Sequence, residues 1–370
     1  MLDCIKGKLG FGCMRLPMVD GEVDLTRFSE MVDFYLASGF NYFDTASGYL
    51  DGKSETAIRE CLVKRYPRES FILTNKLSNP FFNTSEEIIP FFERQLAACG
   101  VDYFDFYLMH SQDRAKYKKY KELGAYETAL KLKKEGRIRH FGISFHDGAD
   151  MLETILSENP EIEVVQIQFN YADYDDGAVQ SRRCYEVCRK YGKSVLVMEP
   201  VKGGNLAKLP PEAAEVLAPL GGSAASYAIR FAAGFDGVVS VLSGMGDMDM
   251  MRDNVSFMQD FKPLDATERA AVERVRDILH SSGLIPCTAC GYCLAGCPVG
   301  IKIPDMFACL NSKVVWKGWT GSHYYEVMTG DSPHASECIG CGACEDVCPQ
   351  HLEIRSLLRD VSDAFDKKKK

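Results

Sequence analysis

The chain has 370 residues, 46% of them hydrophobic and 26% charged, and a formal net charge of -9. These proportions exclude a fibrous or disordered protein, and at roughly 150 residues per domain the length suits two or three domains, or one large domain with an appendage. The acidic balance argues against a surface built for nucleic acid or anionic lipid. No apolar run reaches the ~18 residues of a membrane span, and the charged opening MLDCIKGKLG lacks the apolar core of a signal peptide. A soluble, cytoplasmic protein with neither nucleic acid nor membrane as partner is the expectation.

Eight short runs rich in Phe, Tyr, Val, Ile and Leu read as strands buried on both faces. They are Lys8–Met14, Phe40–Ala46, Phe71–Leu77, Phe104–His110, Arg139–Phe145, Val164–Phe169, Ser194–Met198 and Gly237–Ser243. Helical spacing fills the gaps. Phe28, Met31, Val32, Tyr35 and Leu36 share one helix face, which Gly39 closes. Thr84 or Ser85 caps a helix to Cys99, with Pro90 near its start and Gly100 past its end. Asp265 with Glu268 has the form of a capping box before a further helix. Such alternation suits a (β/α)8 barrel, whose usual size is ~250 residues. The rival is an open doubly wound sheet, which announces its dinucleotide site with GxGxxG. Here the first strand gives Gly10-Phe11-Gly12-Cys13-Met14-Arg15, which breaks that pattern.

Cysteine usage shifts near residue 286. Of fifteen cysteines, Cys4, Cys13, Cys61, Cys99, Cys184 and Cys188 are scattered, and the other nine crowd the C-terminal stretch. We therefore divide the chain into a barrel over 1–281 and a small second domain over 282–370, ending in the basic tail Lys367–Lys370. A cytosolic chain keeps thiols reduced, so clustered cysteines point to metal. Residues 287–298 (CTACGYCLAGCP) and 338–349 (CIGCGACEDVCP) both fit C-x2-C-x2-C-x3-C-P, the bacterial [4Fe–4S] run. The fourth cysteine of such a run ligates the other cluster. Cys287, Cys290, Cys293 and Cys348 are thus expected on one cluster, and Cys338, Cys341, Cys344 and Cys297 on the second. Two zinc sites are the weaker alternative, since zinc demands neither the third CxxC step nor the Cys-Pro ending. Ile303-Pro304 and a helix from Asp305 lie between the motifs, which suits a helical dicluster ferredoxin-like domain. Cys309, Cys184 and Cys188 read as packing residues. So does Cys13, which follows the first strand close to the expected cofactor site.

Catalytic groups of a (β/α)8 barrel sit at the C-terminal ends of strands. Those ends give Asp44, Lys76 and His110, with Tyr49 five residues beyond Asp44. A phenol near pKa 10 is a poor acid at neutral pH. An adjacent ammonium favours the phenolate and a carboxylate holds that ammonium, while a histidine can hydrogen-bond a substrate carbonyl. Such a unit could protonate a carbonyl oxygen as hydride reaches the carbon.

On these residues the barrel resembles the aldo-keto reductase superfamily over about residues 7–260. The stretches GVDYFDFYLMH and GRIRHFGIS carry the resemblance further. It implies that Asp44, Tyr49, Lys76 and His110 are the catalytic tetrad, with Tyr49 the general acid, Lys76 lowering its pKa and His110 orienting the carbonyl. It also implies a nicotinamide cofactor, NADPH or NADH, bound by Ser144, Gln166, Ser243 and Asn254. Of these, Ser144 and Gln166 would hold the nicotinamide amide and Asn254 the adenine. The chain departs from the pattern in three places. Phe145 stands where many members have Asn, Met198 where an aromatic ring often stacks, and Gly244 and Met250 at the usual Lys and Arg positions. Arg252 is left as the basic residue of that phosphate-binding stretch. With its cysteine-rich extension the chain resembles a branch of the superfamily common in anaerobic bacteria.

Nicotinamide gives two electrons as hydride, whereas an iron–sulfur cluster takes one. The leading expectation is an NAD(P)H-dependent reductase of an aldehyde, ketone or sugar-like carbonyl, or the reverse alcohol dehydrogenase, carrying two [4Fe–4S] clusters. The alternatives are an electron-transfer subunit docking a flavoprotein or ferredoxin, and a redox-sensing nucleotide-binding protein.

Overall fold

The computed structural model describes residues 2, 4–280, 284, 285, 287, 289, 291–348 and 350–366. Eight parallel strands close a barrel in chain order: β1 Leu9–Gly12, β2 Tyr42–Asp44, β3 Ile72–Leu77, β4 Phe104–Gln112, β5 Ile138–Phe145, β6 Val164–Gln168, β7 Ser194–Met198 and β8 Val238–Ser243. Closure is direct: β1 pairs with β8, Leu9 opposite Val241, and with β2, Gly10 opposite Tyr42. All eight apolar runs become these strands, and the open sheet is excluded. A short antiparallel ribbon, Met18–Val19 with Glu22–Val23, follows β1.

Strand parity sorts the side chains, because alternate residues face opposite sides. Phe43, Leu73, Tyr107, Phe141, Val165, Val195 and Val241 point outward into one continuous core with the surrounding helices. Tyr42, Ile72, Phe106, Leu108, Val164, Leu196 and Leu242 form a separate inner cluster, against which Leu2 and Ile5 pack. The interior is tight: a Cβ on Gly142 would lie 2.4 Å from the Val164 carbonyl oxygen, so only glycine fits there. Two residues beyond the apolar inner positions, or four on β3, the same parity delivers Asp44, Lys76, His110 and Gln166 to the C-terminal mouth.

The barrel helices are α1 Leu25–Ala37, α2 Lys53–Ile58, α3 Ile88–Cys99, α4 Arg114–Glu122, α5 Ala125–Lys134, α6 Ala149–Glu158, α7 Ser181–Lys190, α8 Pro211–Leu217, α9 Ala224–Ala233, α10 Met248–Met258 and α11 Ala266–His280. The expected caps form. Thr84 and Glu87 make a capping box ahead of α3, and Gly100 ends it in the left-handed region at φ 72°. Asp265 and Glu268 exchange reciprocal backbone–carboxylate bonds of 2.9 Å before α11.

The C-terminal segment is helical: α12 Tyr292–Ala295, α13 Ile303–Trp316, α14 Thr320–Thr329, α15 Ala343–Asp346 and α16 Ile354–Phe365. Its core joins Ile303, Met306, Phe307, Tyr325, Leu358 and Val361, and it takes in Ala178 and Val179 from the loop after β6. Trp316 points the other way, into a cluster with Tyr171, Leu206, Tyr227 and Val275. The segment therefore sits on the C-terminal face of the barrel, against the loops that leave the strand ends. Among the described residues no helix is long and apolar enough to cross a membrane. The tail Lys367–Lys370 lies outside the described residues.

Candidate active site

Lys76 is fully buried on β3, and its ammonium has three protein acceptors. Its Nζ donates to Asp44 Oδ1 at 2.6 Å, to the Thr45 carbonyl at 2.9 Å and to Tyr49 OH at 3.1 Å. Tyr49 enters from the turn after β2, where Leu50 and Asp51 take left-handed φ of 52° and 55°. His110 on β4 meets the Tyr49 ring edge-on, centroids 6.1 Å apart. Ser78, two residues past Lys76, lies with its hydroxyl 2.6 Å from His110 Nδ1. All four tetrad residues thus converge.

Burial sets the electrostatics of this group. It pushes the Tyr49 phenol up, Lys76 pulls it down, and burial prevails, so the phenol lies above its ordinary range. The expectation of a lowered phenol is corrected in sign: Lys76 acts in the expected direction, but the dry site outweighs it. Tyr49 is therefore a protonated donor at neutral pH. Burial also works against the Lys76 ammonium, yet Asp44 and Tyr49 more than offset it and raise it above the usual lysine range. His110 is held well below the usual imidazole range by burial, then by Lys76 and His146, and is neutral.

The residues expected at the cofactor fall into two groups. Gln166 on β6 donates to Asp44 Oδ2 at 3.0 Å, and Ser144 on β5 accepts from the Ser111 amide at 2.6 Å, so both border the tetrad. Ser243 and Asn254 pair with each other at 2.6 Å where β8 leads into α10. Phe145 has the outward parity and packs in the helix–strand core, so it cannot stand in for the amide-binding Asn. Met198 ends β7, opposite Gln168. Cys13 is buried with its amide on the Asp44 carbonyl at 2.8 Å, and burial pushes its thiol up, consistent with packing. Cys184, Cys188 and Cys309 are likewise buried.

Sequence reasoning missed Arg15. Its guanidinium spans the turns after β7 and β8. A Cβ on Gly244 would lie 3.5 Å from Arg15 Nη1, and one on Gly203 would lie 3.9 Å from Nη2. Its carboxylate neighbour, Glu199, is 3.9 Å away. Lys202, Gly203 and Gly204 take positive φ in succession, a run that turns backbone N–H groups into a concavity. The gap left by Gly244 and Met250 was the available signal. Arg252, the basic residue of that stretch, is exposed on α10.

The cysteine-rich segment requires a correction. Among the described residues, no group of three or more His, Cys, Asp or Glu side chains is placed to hold a metal ion. That finding overturns the two [4Fe–4S] clusters; of their expected ligands Cys287, Cys293, Cys297, Cys338, Cys341, Cys344 and Cys348 are among the described residues, and Cys290 lies outside them. The cysteines do gather, Cys297, Cys338, Cys341 and Cys344 around one small cavity and Cys287, Cys293 and Cys348 around another, without forming such a group. Cys293 and Cys344 are buried in the apolar core of the segment, whereas Cys341 is exposed.

Comparison with known proteins agrees with the barrel. Residues 8–277 match the aldo/keto reductase family, and residues 286–352 match the pattern described as a 4Fe-4S dicluster domain. The holo form of an aldo-keto reductase from Bacillus halodurans is 26% identical, with TM-score 0.59, covering 72% of this chain and 91% of that one. An aldo/keto reductase from Klebsiella pneumoniae, in complex with NADP and acetate, shares the fold at 18% identity and TM-score 0.59, over 73% of this chain and 91% of that one. The NAD(P)H-dependent D-xylose reductase of Scheffersomyces stipitis is 27% identical over 186 residues, which is 43% of this chain. The match spans about half the length of such curated relatives, 55% in that case. Because the family match covers most of the chain, and the tetrad residues meet inside it, this protein belongs to the aldo/keto reductase family.

Proposed function

We propose that the protein interconverts a small carbonyl compound and its alcohol, using NAD(P)H or NAD(P)+, with Tyr49 as the proton donor. The observation that carries this reading is the bonded series Asp44–Lys76–Tyr49 beside a neutral His110. A reduced nicotinamide, when bound, supplies hydride to the carbonyl carbon. Tyr49 OH gives its proton to the carbonyl oxygen as that oxygen gains charge, and the phenolate left behind is held by the Lys76 ammonium at 3.1 Å. Asp44 keeps Lys76 charged and aimed. Ser78 Oγ lies 2.6 Å from His110 Nδ1; with the hydroxyl as donor, His110 keeps its proton on Nε2, where it can orient the carbonyl. In the oxidative direction the same atoms take the proton back.

The residues present suit the dinucleotide. Ser144 and Gln166 would hold the amide, and Ser243 with Asn254 the adenosine end. Arg15, over the turns of Gly203, Gly204 and Gly244, would neutralise phosphate. Loops after the seventh and eighth strands are where such barrels commonly bind phosphate. The xylose reductase among the relatives supports a small carbonyl substrate.

The test is Tyr49→Phe. General acid catalysis is worth ~10²–10⁴-fold, so kcat for carbonyl reduction should fall by that order while the NAD(P)H dissociation constant stays unchanged. Wild-type turnover in this variant would overturn the assignment.

A further inference from the structure

We propose that Trp319, carried by the C-terminal segment rather than by the barrel, forms one wall of the substrate site and selects carbonyl compounds bearing an aromatic ring. This deepens the reductase reading and rests on it.

Trp319 immediately precedes α14, and its ring meets two imidazoles edge-on. One is His323, one turn along the same helix, with centroids 4.9 Å apart; the other is His146 of the barrel, at 5.7 Å. The two imidazoles also meet each other, at 5.4 Å. His146 follows β5 directly, and its amide donates to the Gln112 carbonyl at the end of β4. That is two residues beyond His110, close enough for His146 to disfavour protonation of His110. The aromatic trio therefore stands beside the carbonyl-orienting residue, on the face where the chemistry occurs.

The trio is built to hold a ring in place. His146 Nδ1 and His323 Nε2 are buried and have no hydrogen-bond partner among the described residues. Their burial costs free energy and leaves them as uncharged packing surfaces around the indole. Burial lowers His146 to about 3 and His323 to about 4, with Lys116 acting the same way on both and Asp113 opposing it at His323, so the two imidazoles are neutral at neutral pH. Arg114 to Asp331, at 3.4 Å, ties α4 to the turn after α14. Trp319 itself stays 46% exposed although both supports are largely covered. Two more large apolar side chains are exposed on the same face: Met14, after β1, and Phe81, after β3, which stacks on Phe91 at 5.5 Å. A Cβ on Gly48, next to Tyr49, would lie 3.8 Å from the Phe81 ring. A wall of neutral imidazoles with exposed aromatic rings on two sides of the mouth favours an aromatic carbonyl over a polyhydroxylated one, because a flat ring gains stacking and a hydroxylated chain loses hydration.

The experiment uses the full chain with benzaldehyde and glyceraldehyde as probes. Trp319→Ala should raise KM for benzaldehyde at least tenfold, leave kcat/KM for glyceraldehyde within twofold, and leave NAD(P)H affinity unchanged. Trp319→Phe should keep most benzaldehyde activity. A second arm does not depend on turnover: with oxidised cofactor present, benzaldehyde should quench wild-type tryptophan emission, and the quench should vanish in Trp319→Phe. Equal effects of Trp319→Ala on both aldehydes, or none on either, would overturn the proposal. If the wild type turns over neither aldehyde, the reductase reading fails, and the quench decides this one: a Trp319-dependent quench sustains it and no quench overturns it.

Discussion

Asp44→Asn separates what the buried pair does for the fold from what it does for the chemistry. The substitution keeps the shape of the side chain and removes its charge. It leaves the Lys76 ammonium in a dry site with only the Thr45 carbonyl and the Tyr49 hydroxyl as its remaining acceptors besides the new amide. Gln166 loses a charged acceptor at 3.0 Å as well. Removing one partner of a buried ion pair costs ~3–5 kcal/mol; the amide oxygen retains one contact, so the lower end, about 3 kcal/mol, is expected. The assay is urea unfolding, in which the midpoint should fall while the slope stays constant. The pH dependence adds a signature. In the wild type Lys76 is raised above its unfolded value, so its stabilising contribution is complete below about pH 10 and fades only as pH rises through the raised value. Without Asp44 the burial effect is opposed by Tyr49 alone, and the folded value is expected to drop below the unfolded one. Lys76 then destabilises the variant at neutral pH, and that penalty is relieved as pH rises toward 10. The stability gap between the two proteins should therefore narrow from pH 7 to pH 9.5, while the alkaline limb of kcat/KM shifts to lower pH in the variant. An unchanged midpoint together with a wild-type pH profile would refute the reasoning.

Two further expectations concern neighbours of the tetrad. Ser78→Ala removes the 2.6 Å contact to His110 Nδ1, so kcat/KM should fall about tenfold with cofactor affinity unchanged, and Ser78→Thr should restore it; an unchanged rate would show that His110 keeps its tautomer without help. Arg15→Ala should weaken NADPH and NADH binding about tenfold, in line with the ~1.5–3 kcal/mol of a hydrogen bond to a charged group, and should flatten the salt dependence measured by fluorescence titration. Equal affinity in the variant would move the phosphates away from the Gly203–Gly244 turns.

The barrel was legible because its determinants are local. A strand buried on both faces must be apolar at nearly every position, so Phe71–Leu77 and Val164–Phe169 announce themselves without reference to the rest of the chain. The tetrad was legible for a related reason: a residue at the C-terminal end of a strand, with inward parity, has one place to go, and Asp44, Lys76 and His110 all satisfy that condition. What depended on distant segments was not legible. Burial around Tyr49 comes from the assembled barrel, and it reverses the net direction of the phenol's shift even though Lys76 acts as expected. Arg15 reaches the turns after β7 and β8 only because closure brings β1 beside β8. The repeated cysteine spacing, regular along the chain, does not gather a metal-holding group among the described residues. Trp316 and Trp319 stand three residues apart, yet one is buried under the loops of the barrel and the other is exposed at its mouth. Sequence patterns record what each residue requires of its own element; which elements meet, and which side chains are left in water, is decided by the packing of segments far apart in the chain.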